Sequence, residues 1–130
     1  MKVLFYGLGG VGQRHLRILK KLRPEIKIGA VRRKNRAFEI GDDMQPDFDT
    51  DIIKKYDIET FEKKEEGFEF KPDFAVVSNP TSLHVETCLD LVRHDIPVLL
   101  EKPISHDMEG LKELKNISII ERVSIYKLVF

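Results

Sequence analysis

The chain has one cysteine, Cys88, and no tryptophan among its 130 residues. A lone cysteine excludes an internal disulfide and a cysteine-rich metal site, and a reducing, cytoplasmic setting fits that usage. No apolar run approaches the ~20 residues that span a bilayer. The N-terminus has no charged-then-apolar leader pattern, so neither a membrane nor a secretory role is expected. Net charge is also missing: 22 Lys and Arg balance 22 Asp and Glu. The balance hides an asymmetry. Residues 1–36 carry eleven basic side chains against one acid, Glu25, whereas residues 42–66 carry ten acids and four lysines. A basic end raises nucleic acid as a partner. The basic residues do not interleave with aromatics, however, and nucleic-acid binding leaves the glycine pattern below unexplained. No nucleic-acid partner is expected. The length allows one domain of ordinary size with one core.

The clearest signal is at the start. Lys2-Val3-Leu4-Phe5-Tyr6 is an apolar run of strand length, followed by Gly7-Leu8-Gly9-Gly10-Val11-Gly12 and then a helical pattern. Strand, G-x-G-x-x-G turn and helix occur in the order that dinucleotide binding requires. Gly7 permits the tight turn, Gly9 lets the backbone approach a pyrophosphate, and Gly12 lets the helix pack closely on the strand. Unpaired N–H groups at the helix start then face the anion. A helix is predicted over 11–23, ended by Pro24, with Val11, His15, Ile18, Leu19 and Leu22 on one side and Gln13, Arg14, Arg17, Lys20 and Lys21 opposite. His15 reads as a packed, hydrogen-bonded histidine. A second strand follows at residues 26–31. An NAD-preferring site places an acid about 20 residues beyond the glycines, but that position is Arg32, inside the run Arg32-Arg33-Lys34-Asn35-Arg36. Guanidinium groups clamp a 2′-phosphate that an acid would repel. The expected cofactor is therefore NADP before NAD, the plain alternative being a solvated basic loop.

Residues 37–71 are less informative: a short helix at 37–40, an acidic loop to 50, a helical turn at 51–56, a short strand at 58–61 and a charged connection that is partly helical. A buried parallel strand is clear at 74–77, followed by Asn79-Pro80-Thr81. Thr81 or Ser82 is placed to cap a helix over 83–94. On it, Val85, Cys88, Leu89, Leu91 and Val92 share a face, and Cys88 reads as a small buried apolar residue. His84, at the start of that helix, is either a ligand contact or a packing residue. The next strand, 97–100, runs into Glu101-Lys102-Pro103, an acid and a lysine where open α/β sheets bind ligands. Lys102 there can donate to a substrate oxygen or act as general acid; the plain reading is a surface pair at a turn. A helix capped by Ser105 is expected over 106–116, with Met108, Leu111 and Leu114 apolar and Asn116 as its stop. The β-branched stretch 117–130 offers one or two strands, with Val123, Ile125, Leu128 and Val129 buried. The whole reads as a doubly wound, mostly parallel α/β sheet, with a domain over 1–120 and a terminal strand or tail over 121–130.

With the glycine turn, Asn79-Pro80-Thr81 with His84, and Glu101-Lys102-Pro103 in that order, the sequence resembles the N-terminal Rossmann domain of the Gfo/Idh/MocA oxidoreductases over residues 1–116. The resemblance implies NAD(P)-dependent hydride transfer to or from a sugar, cyclitol or nucleotide-sugar-type alcohol. It implies that Gly7, Gly9, Gly10, Val11 and Gly12 hold the pyrophosphate and that Arg32 and Arg33 hold the adenosine end. Asn79, Pro80, Thr81 and His84 would line the nicotinamide half, and Glu101 would approach the nicotinamide ribose. Lys102, with His84 second, is the residue expected to touch the chemistry. No metal is implied.

The family also carries a C-terminal α/β domain that binds substrate and makes most homo-oligomer contacts. After residue 116 this sequence shows neither an Arg-Phe substrate motif nor an Asp-x-x-x-His. It is therefore expected to be an excised, truncated or frame-shifted cofactor half with little or no turnover alone. The rival expectation is a stand-alone redox-sensing module that dimerises through residues 123–130. A further rival is a Rossmann-like domain for another nucleotide or for coenzyme A.

Overall fold

The computed structural model describes residues 1–33, 35, 37–121 and 125–127, with 118–121 and 125–127 described by backbone alone. In chain order the elements are β1 (Lys2–Tyr6), α1 (Gly10–Leu22), β2 (Lys27–Val31), β3 (Glu39–Ile40), β4 (Pro46–Asp47), α2 (Ile52–Lys55) and β5 (Ile58–Phe61). There follow α3 (Lys64–Glu69), β6 (Phe74–Val77), a 3₁₀ turn (Thr81–Leu83), α4 (His84–Arg93), β7 (Val98–Leu100), α5 (Met108–Glu121) and β8 (Ile125–Lys127). Six strands form one sheet in the order β5-β2-β1-β6-β7-β8, and every pair in it is parallel. This is the doubly wound α/β sheet expected from the sequence.

The order reverses between β1 and β6. Parallel strands need crossovers, and the two halves of the chain place theirs on opposite faces. One core layer joins Leu16 of α1 to Val3, Phe5, Ile28, Ala30 and Val76. The other joins Cys88, Leu91 and Val92 of α4 and Leu114 of α5 to Leu4, Ala75, Val77, Val98 and Leu100. Alternate residues of β1 therefore serve alternate layers, and Val3, Leu4 and Phe5 are wholly buried. The start of β1 is held by Asp73, whose Oδ2 accepts from the Lys2 N–H at 2.7 Å.

Several local expectations are corrected. The buried face of α1 is Gly12, Gln13 and Leu16, while Val11, Ile18 and Leu22 are exposed. The apolar arc expected from the periodicity lies about a third of a turn away, because Gln13 reads as polar surface. In fact its side chain is consumed by backbone: Nε2 donates to the Leu8 and Phe38 carbonyls, both at 3.0 Å, and Oε1 accepts from Ile40 N–H at 2.6 Å. That last bond holds residues 39–40 as a strand rather than a helix. They pair with β4 across a turn in which Met44 takes a left-handed φ of 62°. No hydroxyl of Thr81 or Ser82 caps α4; the 3₁₀ turn runs directly into it. Helix α5 continues past Asn116 to Glu121, and Met108 is exposed. Its first turn is held by Asp107, which accepts from Gly110 N–H at 2.7 Å, while Ser105 accepts from Asp107 N–H. Residues 125–127 extend the same sheet beside β7. Lys34, Arg36, Val123, Leu128 and Val129 lie outside the described residues, as do the side chain of Ile125 and the proposed dimer contact over 123–130.

Candidate cofactor site

The carboxyl ends of β1, β2, β6 and β7 meet at one edge of the sheet, and a topological switch point there is where open α/β sheets bind ligands. The glycine turn occupies its centre. Gly7 has φ +97°, and a Cβ on it would lie 2.6 Å from the Asn79 nitrogen. A Cβ on Gly12 would overlap the Gly7 carbonyl oxygen and approach Ser78 Oγ to 2.8 Å. Ser78 Oγ in turn donates to the Gly7 carbonyl at 2.9 Å, tying the end of β6 to the turn. Gly9 differs: a Cβ there meets nothing within 4 Å. Gly9 is the N-cap of α1 and has an extended backbone, and the first turn of α1 contains no acid. The free N–H groups of that turn thus keep their positive end open to an anion. Gly10 begins the helix, and exposed Val11 follows it.

From this turn a cleft of about 580 Å³ extends past Leu8 and Gly9 to Arg32, Arg33, Asn35 and Phe38, with Pro80 and Leu83 across from them. A second hollow of about 750 Å³ adjoins the same two arginines on the β5 side, lined by Thr60, Phe61, Lys63 and Glu66. Arg32 and Arg33 therefore stand between two cavities. The Arg32 guanidinium donates to the Asn35 side-chain oxygen at 2.5 Å and its carbonyl at 3.1 Å. Among the described residues, the segment that directly follows β2 (Arg32, Arg33 and Asn35) contains no carboxylate, while Glu62 and Glu66 line the hollow on the β5 side.

On the other side of the switch point, β6 leads into Asn79, Pro80 and Thr81. Asn79 Nδ2 donates to Thr87 Oγ1 at 3.0 Å, and its Oδ1 is buried without a hydrogen-bond partner among the described residues. His84 is buried. Its Nδ1 lies 2.8 Å from the Pro103 carbonyl oxygen and its Nε2 2.8 Å from the Asn79 carbonyl oxygen. Both partners only accept. A neutral imidazole donates to one of them, and an imidazolium donates to both. His84 thus bridges the loop after β6 to the loop after β7.

Glu101 follows β7 and is half-buried against His15. His15 Nε2 and Glu101 Oε1 are 2.5 Å apart, and Glu101 Oε2 accepts from Lys102 N–H at 3.1 Å. Lys102 is exposed, and the bond joining it to Pro103 is cis. Beneath this edge, burial pushes the Cys88 thiol up to about 12, as befits a packed residue rather than a nucleophile. Burial, with Asp90 and Glu65 nearby, also pushes the Tyr6 hydroxyl upward.

The structure thus brings Gly7, Gly9, Gly10, Val11, Gly12, Arg32, Arg33, Asn79, Pro80, Thr81, Glu101 and Lys102 to one edge of the sheet, with His84 packed directly beneath. Three contributors were not singled out from sequence. Ser78 and Gln13 fasten the glycine turn. Gln13 carries no sequence signal, since nothing local marks a helical glutamine as buried. Ser78 adjoins the Asn-Pro-Thr run and was within reach. The third is the link between His15 and Glu101, which are 86 residues apart.

Among the described residues, no helix is long and apolar enough to cross a membrane, and no cluster of His, Cys, Asp or Glu could hold a metal ion. No curated protein matches the sequence. Solved structures do match its fold. The WlbA dehydrogenase from Chromobacterium violaceum, solved with NADH and UDP-GlcNAcA, is 13% identical at a TM-score of 0.77, covering 98% of this chain and 34% of that one. GenD2 from gentamicin A biosynthesis, solved with NAD, is 19% identical at 0.78 with the same coverages. The apo scyllo-inositol dehydrogenase from Lactobacillus casei is 18% identical at 0.74, covering 98% of this chain and 36% of that one. The chain therefore spans about a third of the length of these structures. The model of the oxidoreductase family GFO_IDH_MocA, described as an NAD-binding Rossmann fold, matches residues 1–123, and the chain belongs to that family.

Proposed function

We propose that the chain is the cofactor-binding part of an NAD(P)-dependent oxidoreductase that moves hydride to or from a sugar, cyclitol or nucleotide-sugar-type alcohol. The observation that carries this is the glycine turn. Gly7 and Gly12 are sterically filled by the protein itself, whereas Gly9 faces open space at a helix start without acids. Two of the glycines serve the fold, and the third leaves room for a ligand's phosphates. When bound, the nicotinamide supplies the hydride chemistry. The chain's own residues hold the pyrophosphate at Gly9, Gly10 and Val11 and receive the adenosine end beside Arg32 and Arg33. Asn79, Pro80 and Thr81 border the nicotinamide half. The exposed Lys102 is the candidate donor to a substrate hydroxyl. The burial of His84 and its two carbonyl partners support a positioning role, holding the two loops together, in place of the catalytic one expected for it. The sugar-type substrate class is supported by family membership and by fold neighbours that include an inositol dehydrogenase and an enzyme solved with a UDP-sugar.

The absence of an acid at the end of β2 and the presence of Arg32 and Arg33 favour NADP. Titration with NADPH and NADH, followed by cofactor fluorescence, tests both levels of the proposal. Tighter NADPH binding, lost on Arg33→Ala, is the expected result. Equal or tighter NADH binding discards the arginine argument and keeps the site. Binding of neither refutes the cofactor assignment.

A further inference from the structure

Glu101 is held from two elements at once. Its carboxylate is mostly buried, with 14% of the side chain accessible, and the His15 side chain facing it is 11% accessible. One oxygen receives His15 Nε2–H at 2.5 Å and the other the Lys102 N–H at 3.1 Å. The Glu101 N–H itself donates to the Val77 carbonyl at 3.0 Å. The residue is thus pinned to α1 through its side chain and to β6 through its backbone. A half-desolvated carboxylate without partners is costly, and a donor from an imidazole is a strong, directional contact. The donor comes from the helix that begins at the glycine turn, one turn beyond Val11. The acceptor comes from the far side of the switch point, where the nicotinamide half is proposed to lie.

We propose that His15 is a positioning residue for the nicotinamide half of the site. Through Glu101 it sets the backbone of Lys102 relative to the glycine turn, so that both halves of the cleft are fixed in one frame. Each Glu101 oxygen keeps a second lone pair, and His15 fixes the direction in which those lone pairs point. Without His15 the carboxylate turns toward solvent and the Glu101–Lys102 corner loses its tie to α1. Among the described residues, Arg32 and Arg33 on the β2 side make no hydrogen bond or ion pair with His15 or Glu101, so the adenosine end is unaffected.

This inference rests on the cofactor reading above, and the test separates the two. Isothermal titration of the wild type, His15→Ala, His15→Gln and Glu101→Gln is made with NADPH, with NADH and with ADP, which lacks the nicotinamide half. The expected result is a loss of about tenfold in dinucleotide affinity for His15→Ala and Glu101→Gln, with ADP affinity held within about twofold. His15→Gln, which keeps an N–H donor, recovers most of the loss, and the double variant His15→Ala/Glu101→Gln is no worse than either single one. Equal losses for ADP and dinucleotide assign His15 to the support of the glycine turn and overturn the proposal, as does unchanged dinucleotide binding in His15→Ala. If His15→Ala does not fold by circular dichroism, Glu101→Gln and His15→Gln carry the same comparison. A wild type that binds neither dinucleotide nor ADP refutes the cofactor reading, and the inference falls with it. A wild type that binds while the variants are unchanged refutes the inference alone.

Discussion

Replacing Gly9 and Gly12 separately with alanine should divide the fold from the function. At Gly12 the new methyl overlaps the Gly7 carbonyl oxygen and crowds Ser78 Oγ. The first of these is backbone and cannot swing aside, so α1 must shift away from β1. Overpacking of this kind costs about 3 kcal/mol at its upper end, and the gain in helix propensity returns about 1 kcal/mol. The net loss is about 2 kcal/mol, or roughly 8 °C in Tm at ~4 °C per kcal/mol for a domain of this size. At Gly9 the methyl meets nothing. The weaker N-cap costs up to ~1 kcal/mol, and the stiffer unfolded chain returns about 0.4–1 kcal/mol. Stability should stay within about 1 kcal/mol of the wild type. If phosphates approach Gly9, the same methyl stands between them and the backbone. Losing about 2 kcal/mol of contact there weakens binding about thirtyfold. Differential scanning calorimetry and cofactor titration on both variants make the comparison. A Gly12→Ala chain as stable as wild type would refute the steric reasoning, and a Gly9→Ala chain that binds cofactor normally would refute the placement of the phosphates.

Gln13→Leu should cost about 3 kcal/mol in urea unfolding, because it strands the Leu8 and Phe38 carbonyls and the Ile40 N–H in the interior; a loss below about 1 kcal/mol would mean that these groups find other partners. The alkaline limb of stability should carry the mark of Cys88. Its thiol is pushed up to about 12 in the folded chain from an ordinary 9.0. Below pH 9 both states keep the proton and the thiol has no effect on stability. Between pH 9 and about 12 the unfolded state releases the proton first, so stability falls with rising pH by up to about 1.4 kcal/mol per unit. Unfolding curves taken every half unit should show a shallower limb for Cys88→Ala, and identical slopes would contradict the burial argument.

The sequence carried the sheet and the central part of the site, because both depend on local pattern. A fully buried parallel strand is a continuous apolar run, as Phe74-Ala75-Val76-Val77 shows, and a phosphate turn is contiguous. What was not legible rests on contacts distant in sequence. Gln13 is polar by type and buried by virtue of residues 38 and 40, which in turn take strand geometry because Gln13 accepts from one of them. Each half of that arrangement misleads when read alone. The misplaced face of α1 follows from the same cause, since counting Gln13 as surface rotates the apolar arc onto Val11, Ile18 and Leu22. His15 looked like packing, and it is packed, but its partner is the acid of the Glu-Lys-Pro run rather than the core. The position of His84 at the start of α4 is legible in the sequence; its Pro103 carbonyl partner depends on the path of a loop 19 residues away.

The central strand has a consequence for how the chain assembles. β1 pairs on one side with β2, its near neighbour in sequence, and on the other with β6, where Val3 meets Phe74. At ~5–20 residues per second of synthesis, the second partner emerges about 4 to 14 s after the first strand. During that interval the sheet is a half-structure with one long side of β1 unpaired, and an apolar, β-prone run so exposed is an aggregation hazard. The second wall of the cleft, Pro80 and Leu83, comes from the segment after β6, so the cleft is incomplete until that segment has docked. A ligand of the cleft would therefore act only on the finished domain, and the yield of folded chain should depend on how quickly β6 arrives.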